Sequence, residues 1–329
     1  MLENKTILIT GGTGSLGTAL TKRLLKSKVG TIRIFSRDEW KQTKMFEELD
    51  DSRLRFFIGD IRDKERLSRA VEGVDYVFHA AALKQVPIAE YNPFEAIKTN
   101  VYGTQNLVDV CLDNNVKKVV AIGTDKAASP ANTYGATKLL MEKIIISANF
   151  FKGIHKTSFV CVRYGNVLGS RGSVLPRFIE QISNKGVITL TDPKMTRFTI
   201  TMNGAIDLVL RALKNGNGGE LFVPRLKSYT LEELKNAIIE LSGKKVKIKK
   251  ISLRPGEKFH ETLISGDEIS QTYESKEDYI IFQQSIDKIS SLKKLKYKKT
   301  KLKSAYISNK NNFISKNQLK KMIREEGYF

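Results

Sequence analysis

The sequence predicts an α/β fold built around a doubly wound parallel sheet, followed by a smaller C-terminal lobe. Short apolar segments typical of buried strands alternate with helical patterns through the first 169 residues. The first strand, residues 6–10, runs straight into a glycine-rich turn at residues 11–17. Because parallel strands need crossover connections, this alternation favours helices on both faces of the sheet, the Rossmann arrangement.

The turn at residues 11–17 carries glycines at the spacing Gly-x-Gly-x-x-Gly and opens a helix that includes Leu20 and Leu24. Glycines at this spacing allow a tight turn, the approach of a pyrophosphate to backbone N–H groups, and close packing of helix on strand. We therefore expect a dinucleotide site formed by Gly11, Thr13, Gly14, Ser15, Leu16 and Gly17.

The end of the second strand bears on which dinucleotide is bound. An acidic residue there would receive the ribose hydroxyls of NAD, whereas a basic residue suits the 2′-phosphate of NADP. This chain has Ser36 and Arg37 at that point, with Lys41 as possible support. The sequence therefore favours NADP, although Asp38 and Glu39 follow directly.

Two further strand ends are expected to line the cofactor. The third strand ends just before Asp60 and Ile61, and the Asp60 carboxylate can accept a hydrogen bond from an adenine amino group. The fourth strand ends at His79, and the small residues Ala80 and Ala81 then let the backbone approach the cofactor. We interpret His79 itself as a packed strand-end histidine.

The fifth strand leads to side chains that can transfer protons. Tyr134 and Lys138 lie one helical turn apart and share a face, and an ammonium beneath a phenol favours the phenolate. The same spacing recurs in the lysine-rich tail, where chance suffices. Asp125 and Lys126, one loop earlier, form a second acid/base pair at the carboxyl edge of the sheet. A lysine serves as a base only if its pKa is lowered, by burial or by a cationic neighbour.

Beyond residue 169 the strand–helix alternation weakens, and a strand near 219–223 looks like a further strand of the main sheet. We predict an NADP-binding domain at residues 1–169, with a return segment at about 200–225. Residues 170–199 and 226–329 would form a substrate-binding lobe. Its basic side chains, which include Arg177, Arg197 and Arg254, suit a phosphorylated or sugar-bearing ligand.

Composition limits the compartment and the partners. The chain has 329 residues, 41% of them hydrophobic, and a net charge of +21. Its lysine runs, at 244–250 and 293–303, carry little aromatic interleaving, so we interpret them as solvated and expect no nucleic-acid partner. Two cysteines and three histidines form no ligand-like cluster, which predicts no metal site and a reducing compartment. With no apolar run of bilayer-spanning length, we expect a cytoplasmic protein without membrane insertion.

These features together resemble the extended short-chain dehydrogenase/reductases. Four stretches narrow the resemblance to the inverting UDP-N-acetylglucosamine 4,6-dehydratases of the pseudaminic acid pathway: residues 79–93, 124–127, 195–198 and 254–258. The resemblance runs from about residue 4 to about residue 285. Gly123 departs from it, because many relatives carry Ser before Thr-Asp-Lys, and one possible hydroxyl contact to the substrate is lost.

The resemblance implies a dehydration of UDP-N-acetylglucosamine. Tyr134, with Lys138, would take the proton of the sugar 4-hydroxyl as hydride leaves carbon 4 for NADP+. Lys126 would remove the acidified proton of carbon 5, and Asp125 would protonate the departing 6-hydroxyl. Hydride would return to carbon 6, and carbon 5 would be reprotonated on the opposite face.

The resemblance also implies binding residues and assembly. Substrate contacts are expected from Lys84, Thr124, Asn166, Arg254 and Glu257, and Lys84 should also touch the cofactor. The helices near 93–113 and 132–151 would pack against a second subunit, giving a homo-oligomer.

Two other readings remain open. A nucleotide-sugar 4-epimerase or reductase of the same superfamily would use Tyr134 and Lys138 but would not need Asp125 and Lys126. A non-catalytic NADP-binding sensor or RNA-associated protein is suggested by the charge alone, and such a protein has no use for an activated phenol.

Overall fold

A computed structural model gives the fold and describes residues 1–283 and 297–329. Its strands are β1 (Thr6–Thr10), β2 (Thr31–Ser36), β3 (Leu54–Ile58), β4 (Tyr76–His79), β5 (Lys118–Ile122), β6 (Ser158–Val162), β7 (Asn166–Val167), β8 (Val187–Leu190), β9 (Thr196–Ile200), β10 (Glu220–Pro224), β11 (Lys227–Thr230), β12 (Lys247–Lys250), β13 (Thr262–Ile264), β14 (Thr272–Glu274), β15 (Asp278–Phe282), β16 (Lys298–Lys299) and β17 (Tyr306–Ile307). Its α-helices are α1 (Ser15–Leu25), α2 (Glu39–Leu49), α3 (Lys64–Val71), α4 (Val86–Tyr91), α5 (Pro93–Ile97), α6 (Gly103–Asp113), α7 (Thr133–Phe151), α8 (Val174–Lys185), α9 (Met202–Asn215), α10 (Leu231–Ser242) and α11 (Lys316–Glu325).

The central sheet confirms the predicted α/β class. Its order, β16-β14-β15-β10-β6-β5-β4-β1-β2-β3, is parallel from β10 to β3. The chain starts at β1, moves outward to β3, and returns to β4 on the other side of β1. In doubly wound sheets, ligands bind outside the carboxyl ends of the strands where the order reverses. Here that point lies between β1 and β4.

Two apolar layers cover the faces of this sheet. One layer packs α3, α6 and α7 against it, with Leu67, Leu107 and Met141 fully buried. The other layer includes Leu20 of α1 and Leu208 of α9. The central strands are buried on both faces, which is why they read as continuous apolar runs rather than as alternating ones.

The far edge of the sheet differs from the predicted domain division. Strand β10 lies beside β6, where the return segment was expected. However, β14, β15 and β16 extend the same sheet in antiparallel order, although they belong to the range 226–329 that was assigned to the lobe. These strands are short and follow no helical crossover, so the periodicity did not distinguish them. The rest of the division stays a prediction.

The remaining C-terminal elements form a smaller body with its own apolar cluster. Helices α8, α10 and α11 contribute Leu175, Leu234 and Leu319 to it, all fully buried. Helix α10 begins with a capping box, in which Thr230 and Glu233 exchange side-chain and backbone hydrogen bonds. Two small sheets, β11-β9-β7 and β12-β8, accompany these helices.

The helix expected near 93–113 is interrupted. A π-helical segment, Lys98–Tyr102, separates α5 from α6. Its buried Asn100 side chain pairs with both backbone groups of Leu83, accepting from N at 2.9 Å and donating to O at 3.0 Å, and it donates to Thr137 Oγ1 at 3.0 Å. Through Asn100, the π-helical segment therefore connects the loop after β4 to α7.

Candidate active site

The glycine-rich turn has the shape that a dinucleotide requires. Gly11 has φ +66°, and a Cβ there would lie 2.8 Å from the backbone of Ala80 and of Ala81. A Cβ on Gly17 would lie 2.5 Å from the Gly12 carbonyl oxygen. Gly14 begins α1 without a side-chain cap, and the first turn holds no acidic residue. The free N–H groups of this helix end can therefore receive a phosphate, and the turn fits a dinucleotide.

The end of β2 presents a mixed set of charges. The Arg37 side chain is 57% exposed and approaches Asp60 Oδ2 only at 3.7 Å. The neighbouring Asp38 carboxylate caps α2, accepting from the Lys41 backbone N–H at 3.0 Å and pairing with the Lys41 ammonium. The Asp38 carboxylate is therefore already paired within its own helix, whereas the Arg37 guanidinium remains largely available to a ligand.

Asp60 and Ser36 are also engaged within the protein. Arg62 holds the Asp60 carboxylate through its backbone N–H at 2.9 Å and its guanidinium at 2.7 Å. The Ser36 hydroxyl accepts from Gln42 Nε2 at 3.0 Å. Ile61 is buried against the core. The contacts predicted from these residues to a cofactor stay predictions.

Arg171, which sequence reasoning did not single out, reaches the glycine-rich turn from the loop after β7. Its backbone N–H donates to Ser15 Oγ at 3.1 Å, and its guanidinium donates to the Thr13 carbonyl. Lys84 Nζ donates in turn to the Arg171 carbonyl at 3.0 Å. Two cations that are distant in sequence thus stand at the same turn, and no local spacing would have signalled the contact.

Tyr134 and Lys138 lie in the first turns of α7. Asn132 caps this helix by accepting from the Gly135 backbone N–H at 2.8 Å. Tyr134 is 9% exposed and Lys138 is 3% exposed. Thr124 is hydrogen-bonded to the Tyr134 side chain, so the phenol stands beside the loop that carries Asp125.

The ionisation of this pair differs from the expectation. Burial raises the pKa of Tyr134 to about 12, and the largest opposing charge is that of Lys126. Burial lowers the pKa of Lys138 to about 8, against the charge of Glu142. The prediction that a neighbouring ammonium lowers the pKa of Tyr134 is wrong in this structure, because the effect of burial outweighs the charge of Lys126.

Lys126 stands between two buried carboxylates. Its Nζ lies 3.0 Å from Asp125 Oδ1 and 3.1 Å from Glu261 Oε1. Burial lowers the pKa of Lys126, but the two carboxylates outweigh burial and hold that pKa above its ordinary value. The condition stated above for a lysine base is therefore not met, and Lys126 is an ammonium at neutral pH.

The two carboxylates are held in different states. Burial raises the pKa of Asp125, which favours the protonated acid. Burial also disfavours ionised Glu261, but Lys126 and Arg197 prevail and lower its pKa. Pairs of titratable groups whose environments separate their pKa values mark acid and base roles. Glu261 was missed by sequence reasoning because nothing in its local pattern relates it to Asp125.

A cavity of about 230 Å³ collects the predicted substrate residues beside this cluster. Its lining includes Lys84, Asn166, Arg177, Arg197, Arg254, Glu257, Lys126 and Glu261. Thr124 is not in the lining and lies behind it, donating to Asp125 Oδ1 at 3.0 Å. Arg197 is 6% exposed and donates to the carbonyls of Thr196 and Phe259, so part of its guanidinium serves the fold.

A second buried ion network supports the base of α7. Arg163 is fully buried and pairs with Glu142 at 2.7 Å and with Glu268 at 2.8 Å. A Cβ on Gly123 would lie 2.4 Å from Glu142 Oε1. The space that a side chain at residue 123 would occupy is thus filled by the Glu142 carboxylate, which also faces Lys138.

The His79 interpretation is confirmed. The ring is buried, with Nδ1 2.8 Å from Thr10 Oγ1 and Nε2 3.1 Å from Thr104 Oγ1. Burial lowers the pKa of His79 to about 3.

Among the described residues, no group of three histidine, cysteine or acidic side chains is arranged to hold a metal ion. No helix within residues 1–283 and 297–329 is long and apolar enough to cross a membrane.

The glycine-rich turn, the Rossmann sheet and the paired Tyr134 and Lys138 define an extended short-chain dehydrogenase/reductase, a class that uses a nicotinamide cofactor. The family described as polysaccharide biosynthesis protein matches residues 7–283. This chain belongs to that family, whose members here are nucleotide-sugar dehydratases and epimerases.

Three relatives illustrate the range of the family. The chain is 48% identical over 283 residues to a UDP-N-acetylglucosamine 4,6-dehydratase (inverting) of Campylobacter jejuni, covering 85% of this chain and 84% of that protein. It is 45% identical over 285 residues to a UDP-glucose 4-epimerase of Rickettsia rickettsii, with the same coverage of 85% and 84%. It is 46% identical over 333 residues to a protein of Methanocaldococcus jannaschii named as an uncharacterized membrane protein, covering 99% of this chain and 97% of that protein.

The fold also matches a solved structure along almost its whole length. The X-ray structure of Pen from Bacillus thuringiensis superimposes with a TM-score of 0.92 at 41% identity, covering 99% of both chains. The C-terminal body is therefore part of a shared architecture.

The close approach at Gly11 predicts a specific binding defect. Gly11→Ala should weaken the binding of a nicotinamide dinucleotide about tenfold or more, because its Cβ would displace the Ala80–Ala81 backbone from the cofactor cradle. Titration calorimetry of the purified variant measures this.

Gly73→Ala is the matched control, since Gly73 has φ +69° with no atom within 4 Å of its Cβ. It carries the same backbone strain without the contact and should bind the dinucleotide as the native protein does. Equal losses in both variants would show that strain, and not the cradle, limits binding.

Proposed function

We propose that this protein is an NADP-dependent UDP-N-acetylglucosamine 4,6-dehydratase that inverts carbon 5. The observation that carries the proposal is the cluster of Asp125, Lys126 and Glu261, which acts on Tyr134 and whose members Lys126 and Glu261 line the substrate cavity. Oxidation at carbon 4 needs only the phenol and its lysine, whereas the loss of water across carbons 5 and 6 needs a further acid and base. The product would be UDP-2-acetamido-2,6-dideoxy-β-L-arabino-hex-4-ulose.

Substrate recognition rests on the charged lining of the cavity. We assign the diphosphate and sugar contacts to Lys84, Thr124, Asn166, Arg177, Arg197, Arg254 and Glu257. A cavity with several cations and two carboxylates, Glu257 and Glu261, suits a diphosphate joined to a hydroxyl-rich sugar. The similarity to the Campylobacter jejuni dehydratase supports this choice of substrate.

NADP would occupy the glycine-rich cradle, with its 2′-phosphate beside Ser36, Arg37 and Lys41. When bound, the nicotinamide supplies the chemistry of hydride acceptance and return. Arg37 is the exposed cation at the end of β2, whereas the acidic neighbour Asp38 is engaged as a helix cap. Arg171 and Lys84, from two different loops, would add positive charge near the phosphates.

The side chains divide the proton transfers between them. Tyr134 takes the proton of the 4-hydroxyl, and Lys138, whose pKa is lowered to about 8, lies one turn below it. Asp125, whose pKa burial raises, gives its proton to the departing 6-hydroxyl. Lys126 receives the proton of carbon 5. Thr124 orients both neighbours through its contacts with Tyr134 and Asp125.

The biological setting follows from the product. A 4-keto-6-deoxy amino sugar suits the biosynthesis of pseudaminic acid or a related surface glycan, including flagellin glycosylation, in the cytoplasm. We propose no nucleic-acid partner, because the lysines of β12 are all solvent-exposed, as a solvated run would be. The second lysine run falls partly outside the described residues.

A homo-oligomer is the assembly we propose. Helices α4, α5 and α7 and the π-helical segment expose large apolar side chains: Ile88, Tyr91, Phe94, Tyr102, Leu140, Phe150 and Phe151. Apolar groups gathered on neighbouring helices favour burial against a second copy.

The second candidate function is a UDP-sugar 4-epimerase or reductase. The Rickettsia rickettsii relative named as UDP-glucose 4-epimerase supports it. Such an enzyme would use Tyr134 and Lys138 alone. The epimerase or reductase reaction would not use the Asp125–Lys126–Glu261 cluster, so we rank this function second.

Cofactor choice gives one prediction. Native protein should bind NADP at least about tenfold more tightly than NAD, and Arg37→Ala should remove most of that preference without weakening NAD. Arg55→Ala, at an exposed arginine of β3, should leave the preference unchanged. Fluorescence titration with both cofactors measures this, and equal native affinities would contradict the assignment.

The division of labour gives another prediction. Lys126→Ala should still reduce the bound cofactor on addition of UDP-N-acetylglucosamine, seen as nicotinamide absorbance, but should release product about a hundredfold more slowly or worse. Tyr134→Phe should fail earlier, with no reduced cofactor.

The control is Lys143→Ala, an exposed lysine on the same helix as Tyr134, which should behave as native. Native turnover by Lys126→Ala would refute the role given to Lys126 in elimination.

A further inference from the structure

Glu261 is a buried carboxylate with one oxygen engaged and one free. It is 2% exposed, and Oε1 lies 3.1 Å from Lys126 Nζ and 3.9 Å from Arg197 Nε. Among the described residues, Oε2 has no hydrogen-bond partner. A carboxylate oxygen this buried is costly to leave unpaired, and Glu261 belongs to the lining of the substrate cavity.

The position of Glu261 is fixed by its backbone. Its N–H donates to Ser308 Oγ at 2.9 Å, and its carbonyl accepts from the Ser308 N–H at 2.9 Å. Ser308 Oγ lies 2.6 Å from Thr196 Oγ1, which contacts His260 Nδ1 at 2.8 Å. The carboxylate is thus held against Lys126 by a rigid frame rather than by a flexible loop.

The proposed elimination needs a group that removes a proton from Lys126, and the Glu261 carboxylate can do this. Lys126 is paired with two carboxylates and is an ammonium, so its nitrogen has no lone pair with which to take a proton. A group within hydrogen-bond distance must first remove one of its protons. Asp125 is unsuited, because it is to act as the acid for the departing hydroxyl.

Building on the dehydratase function proposed above, we propose that Glu261 accepts a proton from Lys126 and thereby makes Lys126 the base of the elimination step. Glu261 acts through Lys126 and is a positioning residue in this sense. Its lowered pKa agrees with an ionised resting state.

In the proposed step Lys126 passes one proton to Glu261 and takes another from carbon 5. An N–H bond of Lys126 breaks, and its proton forms an O–H bond on Glu261. The freed lone pair of Lys126 forms a new N–H bond with the proton of carbon 5. The electrons of that C–H bond form the carbon 5–carbon 6 double bond as the carbon 6–oxygen bond breaks, and the Asp125 proton completes the departing water.

The pH response of this unit depends on every charge that faces it. The titratable and charged groups acting on Lys126, on Glu261 or on Arg197 beside them come from the loop after β5, from α7, from β9 and β11 and from the segment before β13: Asp125, Tyr134, Arg197, Tyr229, Lys258 and His260. Within this set Asp125 pairs directly with Lys126, at 3.0 Å, as Glu261 does at 3.1 Å.

Glu261→Gln provides the test, because Gln keeps an oxygen for Lys126 but is not a proton acceptor. Full-length variant with NADP and UDP-N-acetylglucosamine should accumulate reduced cofactor but form product about a hundredfold more slowly. Its product rate should rise about tenfold per pH unit from about pH 7 to about pH 9, as solvent takes over deprotonation of Lys126, while the native rate stays flatter. Glu261→Asp should recover part of the rate.

Glu240→Gln is the matched control, since it removes an exposed carboxylate that also pairs with two lysines, Lys316 and Lys320. It should match native protein in both readouts. A native rate in Glu261→Gln, a slow rate with a flat pH profile, or loss of cofactor reduction would each overturn the role of Glu261. Native protein that epimerises carbon 4 without elimination would overturn both this role and the proposed function.

Discussion

The contact of one ammonium, Lys126, with two buried carboxylates is the interaction on which the candidate active site depends. Burying ionisable groups is costly unless each is paired. Asp125 and Lys126 follow β5, whereas Glu261 precedes β13, so the ion cluster joins the parallel sheet to the C-terminal segments. The same contact sets the ionisation of all three groups. Fold and chemistry therefore share one constraint.

A second buried network extends this constraint beneath the catalytic helix. Arg163, at the end of β6, holds Glu142 of α7 and Glu268 at once. Glu142 in turn faces Lys138 and fills the space beside Gly123. Charged groups therefore connect Glu268, in the segment that follows Glu261, through Arg163 and Glu142 to Lys138. Helix α7, which carries Tyr134, is anchored by the Arg163–Glu142 ion pair. The Glu142 carboxylate leaves no room for a side chain at residue 123.

Local pattern predicted the parts of the fold that depend on neighbouring residues. The apolar runs of β1 and β5 and the glycines before α1 gave the sheet and its nucleotide cradle, because periodicity and backbone freedom are properties of short segments. The cavity also unites Lys84, Asn166, Arg177 and Arg254, which the family motifs and the basic lobe indicated. Contacts between distant segments were not visible, including Arg171 with Ser15 and Glu261 with Lys126. A lowered pKa was the condition stated for a lysine base, but the adjacent Asp125 and the remote Glu261 keep the pKa of Lys126 high.

We propose that the buried acid–ammonium–acid cluster directs the enzyme to eliminate water with inversion rather than to epimerise carbon 4. NMR of the product formed when native protein with NADP acts on UDP-N-acetylglucosamine in deuterium oxide tests this directly. We expect a 4-keto-6-deoxy sugar with deuterium at carbon 5 in the L-arabino configuration. UDP-N-acetylgalactosamine as the product, or a carbon 5 that keeps its original configuration, would contradict it.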